Sequence, residues 1–290
     1  MTEIRDIERP PSGLEMLLKA GLAGVPLANR LPGIAKTGTG LPDLRLRTTS
    51  VSVDPAHLAA YDEVCGFVRR DTLPLTYPHL LGFPLSMQLM SDPSFPHVAV
   101  GQVHLANSIT SHRELRVDER FDVTVGAVNQ RPHPKGVVYD MVTEVAVDGE
   151  VVWEEASTYL RPGRRHPDAP AIVGPADVTA GSITWRLPAD LGRRYAAVSG
   201  DRNPIHLTAL TAKAFGFKQQ IAHGMWSMAR CVAAVESRLA PATRLDVVFK
   251  KPIFLPATVA LGTVVDDDHV GFSLSRPDGG VHLSGSARPL

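Results

Sequence analysis

The sequence contains few cysteines, few aromatic residues and no excess of charge of either sign. Only two of its 290 residues are cysteines, Cys65 and Cys231, so neither a disulfide framework nor the ligand spacing of a zinc site is present. Lysine plus arginine and aspartate plus glutamate number 30 each, which argues against the basic surface of a nucleic-acid-binding protein. The cysteine usage favours a reducing compartment, and we expect a cytoplasmic protein with no nucleic-acid partner.

Long apolar runs are also missing. No stretch approaches the roughly 18 uninterrupted apolar residues that a membrane span requires, and none is predicted. Residues Met1 to Gly13 are charged and proline-rich, so no secretory signal is expected. The apolar segment Leu14–Leu31 is interrupted by three charged residues and is predicted to form a surface-packed helix within an N-terminal extension, residues 1–42.

Proline and glycine mark a boundary near the middle of the chain. Four prolines and two glycines lie between Arg161 and Ala180, a density that is incompatible with a helix or a central strand and that predicts a linker. The prediction is an N-terminal half over residues 43–165, a linker over 166–180 and a C-terminal half over 181–290.

The two halves show traces of an internal repeat. Tyr61–Phe67 is similar to Tyr195–Asp201 at an offset of 134 residues (195 minus 61). Two further blocks share an offset of 142 residues: Leu81–Phe83 matches His223–Met225, and Val103–Asn107 matches Leu245–Phe249. The common order of the three blocks predicts a duplicated fold.

The C-terminal half has the clearer secondary-structure pattern. Apolar residues from Met225 to Leu239 recur at spacings of three and four, which predicts a helix over Gly224–Leu239 that ends before Pro241. Ile183–Leu187 alternates in polarity like a half-buried strand. Further strands are predicted at Leu245–Phe254, Thr258–Val265, Val270–Ser275 and Val281–Ser284, and, in the first half, at Val123–Val128, Val137–Val147 and Val151–Leu160. A long helix followed by an antiparallel meander makes each half an α+β unit.

One loop carries residues suited to proton transfer. Gly200 tolerates unusual backbone angles, and Pro204 pushes its predecessor into an extended conformation, which predicts a kinked extended loop over residues 200–205. Asp201 and His206 can then converge as an acid/base pair on one water molecule. The alternative is a purely structural role, in which Asp201 makes an Asx-turn and His206 packs in the core.

The start of the long helix is a second candidate element. A helix N-terminus presents unpaired N–H groups and the positive end of the helix dipole. Glycine at position 224 would let a ligand approach the backbone, so its N–H suits a carbonyl oxygen that gains negative charge during a reaction. The alternative is a tight entry of the chain into the helix.

Together these residues resemble a known family, the MaoC-like (R)-specific enoyl-CoA hydratases and 3-hydroxyacyl-thioester dehydratases. The hydratase-2 signature of that family is present as Tyr195-x-x-Val198-Ser199-Gly200-Asp201-x-Asn203-Pro204-Ile205-His206. It is followed by His223-Gly224-Met225 and by Phe249-Lys-Lys-Pro-Ile-Phe-Leu-Pro256. The resemblance implies a double hot-dog fold, in which each half wraps an antiparallel sheet around a long helix.

The resemblance also implies a reaction and its residues. It implies reversible hydration of 2-enoyl thioesters and dehydration of (R)-3-hydroxyacyl thioesters in fatty-acid metabolism, without metal or other cofactor. The catalytic residues would be Asp201, His206 and Gly224, with supporting roles for Asn203, Ser199 and His223. The substrate would be an acyl-CoA or an acyl carrier protein thioester, and a homodimer is one expected assembly. Members often carry aspartate where this chain has Thr208, so we expect a local adjustment there.

The first half departs from the signature. It has Phe67 where the second half has Asp201, and no Asn-Pro-x-His follows, so a single active site per chain is expected. The resemblance implies that such a degenerate half binds the acyl tail. The predicted substrate-binding residues are Phe67, Phe83, Met87 and Met225. Such residues can equally be plain core.

Two other functions remain as alternatives. A non-catalytic acyl-thioester-binding scaffold would be expected to lose the acid/base pair, which the second half retains. A hot-dog thioesterase usually carries a carboxylate within the long helix, near the thioester. The predicted helix contains only Glu236, about three turns from Gly224, which argues against this alternative.

Overall fold

The computed structural model describes residues 2–8, 36, 38, 40–99 and 101–290. The helix predicted at Leu14–Leu31 lies outside these residues. The chain divides into two compact units. The first unit comprises residues 1–52, 79–105 and 120–171, and the second comprises residues 53–78, 106–119 and 172–290.

The elements follow one another along the chain in a fixed order. They are β1 (Glu3–Asp6), β2 (Leu44–Val51), α1 (Pro55–Cys65), α2 (Pro78–Ser91), β3 (Val103–Ser111), β4 (Phe121–His133), β5 (Gly136–Val147), β6 (Glu150–Pro162), β7 (Ile183–Leu187), α3 (Leu191–Ser199), α4 (Pro204–Leu207), α5 (Ala209–Ala214), α6 (Gly224–Val235), a 3₁₀ turn (Glu236–Arg238), β8 (Thr243–Phe249), β9 (Ala257–Asp266), β10 (His269–Ser275) and β11 (Val281–Pro289).

The first unit pairs a sheet with helix α2. The strand order is β1-β2-β4-β5-β6; β1 runs parallel to β2, and the other neighbours are antiparallel. Helix α2 lies close to β5. The approach is so close at Gly82 that a Cβ added there would be only 2.6 Å from the side chain of Thr143. It is tied to β6 by the buried His79, whose Nδ1 is 2.9 Å from Glu155 Oε1. The sheet-and-helix plan expected for the first half is present.

The second unit repeats the plan more fully. Its strands follow the order β3-β8-β11-β10-β9-β7, all pairings being antiparallel. Helix α6 packs against β10 and β11 and buries most of its residues, Met225–Ala229 among them. Because nearly every side of this helix is covered, it forms the centre of the unit's core.

Most predicted elements of the C-terminal half are confirmed, with two corrections. The strand predicted at Leu245–Phe254 ends at Phe249, before Pro252, which has no N–H to donate to a ladder. Strand β7 spans Ile183–Leu187 as predicted, and β10 and β11 are joined by a hairpin turn, in which Gly279 has a φ of 97°. The long helix is shorter than predicted: α-helical bonding ends at Val235 and a 3₁₀ turn follows. Leu239 is already extended, with a ψ of 142°, and Pro241 follows two residues later, where a helix cannot continue.

The internal repeat is visible in local geometry. Helices α1 and α3 both end at a glycine with positive φ, Gly66 at 81° and Gly200 at 73°, which are matched positions of the predicted repeat. Strands β3 and β8 pair so that Ala106 faces Val248, its own equivalent at the offset of 142 residues (248 minus 106). Both observations support the duplicated fold.

The compact units do not follow the predicted halves. Helix α1 and residues 106–119 come from the first half of the sequence, yet both belong to the second unit. The division of the sequence into an N-terminal half (43–165), a linker (166–180) and a C-terminal half (181–290) therefore stays a prediction.

Between β6 and β7 no helix or strand occurs, as expected for a linker. None of the helices in the described ranges combines the length and hydropathy needed to cross a bilayer.

The β10–β11 pairing leads to a test of the core. Gly285 lies opposite Phe272, which is fully buried, and a Cβ at Gly285 would be 2.2 Å from the Phe272 ring. We expect Gly285→Ala to lower the free energy of unfolding by about 1–3 kcal/mol through overpacking, as measured by urea denaturation. The neighbouring Ser286→Ala is the control and should change stability far less. A more stable Gly285→Ala variant would contradict this packing.

Candidate active site

The loop after helix α3 adopts most of its predicted geometry. Helix α3 ends at Gly200, whose N–H donates to the carbonyl of Ala196 at 3.2 Å. Asn203 is extended (φ −55°, ψ 126°), and its side chain accepts from the Ile205 N–H as the cap of α4. The loop between α3 and α4 therefore covers residues 200–203, with Gly200 in the left-handed region. The prediction that it continues to residue 205 is wrong, because the fixed φ of Pro204 suits the first position of a helix.

Asp201 is held by its own loop. One carboxylate oxygen, Oδ1, accepts from the Asn203 N–H at 3.1 Å, and the Asp201 N–H donates to Ser199 Oγ at 3.2 Å. The Asx-turn considered as a structural alternative is thus present. It occupies only Oδ1, while Oδ2 faces two histidines: it lies 4.0 Å from His206 Nε2 and 3.7 Å from His223 Nε2.

The two histidines stack on each other with defined tautomers. Their ring centroids are 3.6 Å apart, at an interplanar angle of 24°. His206 Nδ1 lies 2.8 Å from the Ile221 carbonyl; since a carbonyl only accepts, Nδ1 carries the proton and a neutral His206 presents a lone pair on Nε2. His223 Nε2 lies 3.0 Å from the Asp201 carbonyl and is likewise the donor.

Burial keeps both imidazoles neutral. His206 and His223 are buried, whereas the Asp201 side chain is 32 % exposed. Burial lowers the pKa of His206 against the opposing effects of Asp201 and the Ile221 carbonyl. Burial and the adjacent His206 lower the pKa of His223 to about 3. The site therefore combines a neutral His206, which can accept a proton, with an Asp201 side chain that is partly open to water.

Gly224 is the first residue of helix α6 and directly follows His223, which is the N-cap of that helix. Its N–H belongs to the first turn, where no intrahelical acceptor exists. Gly224 is partly exposed between the buried His223 and Met225. A Cβ at position 224 would lie 3.2 Å from the Phe249 ring, so close packing also favours glycine here. A role of the Gly224 N–H in binding a negatively charged oxygen and a tight entry of the chain into the helix are thus compatible.

A divalent metal is poorly served by the same residues. Asp201, His206 and His223 can each offer an atom within 4.8 Å of the others. However, His223 Nε2 carries the proton that it donates to the Asp201 carbonyl, and a protonated nitrogen has no lone pair for a metal. Metal binding through His223 Nε2 would therefore break the hydrogen bond to the Asp201 carbonyl, and without that nitrogen His206 and Asp201 supply two ligands, fewer than the three that catalytic zinc sites use.

The other predicted residues divide between the two units. Phe67 is buried in the second unit and stacks on Tyr61 with centroids 5.9 Å apart. Phe83 and Met87, one turn apart on α2, belong to the first unit. The adjustment expected at Thr208 is confirmed: its hydroxyl caps helix α5 by accepting from the Thr211 N–H at 3.1 Å.

Two groups that hold residues of this site in place could not be recognised from the sequence. The Ile221 carbonyl, which sets the His206 tautomer, is a backbone atom and leaves no trace in residue identity. His57, on α1, contacts the Val198 carbonyl in the last turn of α3. It lies in the first half, outside any recognised motif, and no signal in the sequence marked it.

Known proteins resemble this chain over nearly its whole length. The family model described as "MaoC like domain" matches residues 175–283. The Mycobacterium tuberculosis protein 3-hydroxyacyl-thioester dehydratase X is 38% identical over 285 residues, covering 97% of this chain and 99% of that protein. The chain belongs to the MaoC-like dehydratase family. Since that family consists of hydro-lyases, this MaoC-like protein is an enzyme of that class.

Solved structures lead to the same fold. The crystal structure of HtdX of Mycobacterium tuberculosis is 36% identical, with a TM-score of 0.75, covering 85% of this chain and 100% of that one. A MaoC-like dehydratase from Phytophthora capsici shares 19% identity with a TM-score of 0.67, covering 85% and 95% of the two chains. These likenesses confirm the α+β double hot-dog expected from the sequence.

The low pKa of His223 predicts acid sensitivity of this MaoC-like enzyme. Its folded-state pKa of about 3 lies below the ordinary 6.5, so between these values the unfolded chain binds a proton that the folded chain excludes. Stability is then fully present above pH 6.5 and falls as the pH is lowered towards 3. We expect His223→Gln, which keeps a donor for the Asp201 carbonyl, to reduce this slope by up to about 1.4 kcal/mol per pH unit.

The measurement is urea denaturation of wild type and His223→Gln across this pH range. His206 shifts in the same direction, so a smaller acid dependence should persist in the variant. Identical slopes for the two proteins would show that His223 titrates normally.

Proposed function

We propose that this MaoC-like enzyme adds water to 2-enoyl thioesters and removes it from (R)-3-hydroxyacyl thioesters in fatty-acid metabolism, with Asp201 and His206 as its acid/base pair. The reaction class follows from the family, and the thioester substrate matches the printed name of the 38% identical relative. We assign Ser199, Asn203 and His223 to holding the pair, and Gly224 to binding the thioester oxygen.

One observation carries the proposal: the lone pair of His206 Nε2 faces Asp201 Oδ2 across 4.0 Å. That separation is too long for a direct hydrogen bond but short enough for one water oxygen to contact both groups. His206 accepts a proton from such a water, while the carboxylate orients it. Neither group requires a metal or a redox partner for this step.

The mechanism in the hydration direction then follows. The water oxygen bonds to C3 as the pair removes one of its protons, and electron density moves through C2 to the thioester oxygen. The Gly224 N–H at the positive end of α6 stabilises that oxygen as an enolate. The pair returns one proton to C2, which restores the thioester and leaves the sum of the reaction as one added water. Delivery from one face gives the syn addition that the family resemblance implies, and the reverse path is dehydration.

The same contacts weigh against the two alternatives. For a thioesterase the candidate carboxylate in the long helix was Glu236, which lies beyond the end of α6 and is 3.5 Å from Arg70. A non-catalytic scaffold has no need for a buried neutral His206 whose tautomer is set by a backbone carbonyl. The arrangement of these groups therefore favours the hydro-lyase.

We also propose the partners of the reaction. The acyl group would be carried by CoA or by an acyl carrier protein, in the cytoplasm, where the two buried thiols Cys65 and Cys231 stay reduced. A homodimer is the assembly we expect. The acyl tail would contact Phe67, Phe83, Met87 and Met225.

Removing either member of the pair should abolish most of the activity. Hydration of crotonyl-CoA, followed by loss of the conjugated thioester absorbance, should fall by about 10²- to 10⁴-fold in Asp201→Asn and in His206→Ala, the usual cost of losing a positioned acid or base. Asp268→Asn, in the exposed turn after β9, and His166→Ala, in the linker, are matched controls that should keep wild-type rates. Near-wild-type turnover of a folded Asp201→Asn or His206→Ala variant would disprove the assignment.

The proposed tail contact gives a separate test. Met87 is partly exposed on α2, so a larger side chain there need not overpack the core. We expect Met87→Trp to lower kcat/KM for a long-chain 2-enoyl-CoA by about tenfold or more, since a filled apolar pocket loses at least one kcal/mol or so of binding. Turnover of crotonyl-CoA serves as the internal control and should be unchanged. An unaltered chain-length preference would remove Met87 from the tail site.

A further inference from the structure

The last turn of helix α3 is held by a side chain from another helix. The final four carbonyls of an α-helix have no intrahelical donor. The Ala196 carbonyl accepts from the Gly200 N–H, whereas the Val198 carbonyl lies 2.7 Å from Nε2 of His57 on α1. Both helices belong to the second compact unit. His57 therefore ties α1 to the turn that leads directly into Ser199, Gly200 and Asp201.

The other nitrogen of His57 is also bound. Because Nε2 must donate to the Val198 carbonyl, a neutral His57 accepts at Nδ1, which lies 2.9 Å from the Tyr77 hydroxyl. Tyr77 is only 1% exposed, and its ring packs edge-on to Tyr61 with centroids 5.3 Å apart. Burial of Tyr77 thus fixes its hydroxyl, and that hydroxyl orients His57 by donating to Nδ1.

The matched position of the repeat has a bond of the same kind. Val64 is the equivalent of Val198 (198 minus 134), and its carbonyl accepts from Trp226 Nε1 at 2.8 Å. In both copies a ring N–H from another helix satisfies the carbonyl that precedes the glycine turn. Only the second copy continues into an acid/base pair, since Phe67 stands where Asp201 would be.

We propose that His57 and Tyr77 are positioning residues for Asp201, an inference that rests on the function proposed above. The bond to Val198 fixes the start of a three-residue path to Asp201, and the Asp201 N–H itself bonds to Ser199 within this path. Without His57 the Val198 carbonyl loses its donor and the loop gains freedom relative to His206. A displacement of about 1 Å in a reacting group can cost on the order of 10² in rate.

The test compares substitutions that keep or remove each hydrogen bond. His57→Gln retains an N–H near the Nε2 position and should stay within about threefold of wild type, whereas His57→Phe keeps a planar ring without a donor and should lower kcat by about tenfold or more. Tyr77→Phe should lower kcat in the same direction. KM for crotonyl-CoA should stay nearly constant in all three, because these residues act on the alignment of Asp201 and not on substrate binding.

Tyr61→Phe is the matched control for Tyr77→Phe. Both tyrosines are buried, and Tyr61 loses a comparable bond, to Thr76 Oγ1 at 2.8 Å, which leads to no part of the catalytic loop. Tyr61→Phe should lower stability like Tyr77→Phe but leave kcat unchanged. Equal losses of kcat in the two variants, or a fully active His57→Phe, would overturn the positioning role in favour of a merely structural one.

A second readout does not depend on turnover. Amide hydrogen exchange of residues 200–203 should be faster in His57→Phe than in wild type, and unchanged in His57→Gln and Tyr61→Phe. If the wild-type protein hydrated no 2-enoyl-CoA, the proposed function would fail while this exchange still tested the restraint. If the wild type is active and exchange in His57→Phe is unaltered, the positioning role fails and the function stands.

Discussion

The site depends on two stacked imidazoles that burial keeps uncharged. Protonation of both rings would place two positive charges within 4 Å of each other, so the folded state favours at least one neutral ring. The carbonyls of Ile221 and Asp201 then decide which nitrogen of each ring carries its proton. Desolvation thus keeps His206 in the neutral form that can accept a proton, and the Ile221 carbonyl leaves its lone pair on Nε2, the nitrogen nearer Asp201 Oδ2.

The sequence predicted this part of the molecule well, because the constraints there are local. Gly200 permits the left-handed turn before Asp201 and Pro204 fixes the backbone after it, so a bent segment that brings Asp201 and His206 together follows from residue types. The strands of the second half were predicted for a similar reason, since alternation of polarity is a short-range signal. Local rules were less exact where two propensities compete, as at Pro204, which ends the extended loop earlier than expected, and after Val235.

What could not be predicted lies in contacts between distant segments. His57 is 141 residues from Val198, and no periodicity or motif connects them. The same applies to helix α1, which belongs by sequence to the first half and by packing to the second unit. A repeat analysis identifies equivalent positions, but it does not tell which elements pack together. The packing of elements depends on which side chains become buried together, as Tyr61 and Tyr77 do here.

The pairing of Ala106 with Val248 has an evolutionary consequence. A residue that faces its own equivalent across an antiparallel ladder is what two identical subunits produce at a two-fold axis. Identical subunits share one sequence, so every substitution occurs in both copies. Loss of the aspartate at one site is therefore its loss at the other. Joining the copies in one polypeptide removes this coupling. Phe67 could then replace an acidic residue in one copy without harming the other, and the released copy was open to selection for a different task.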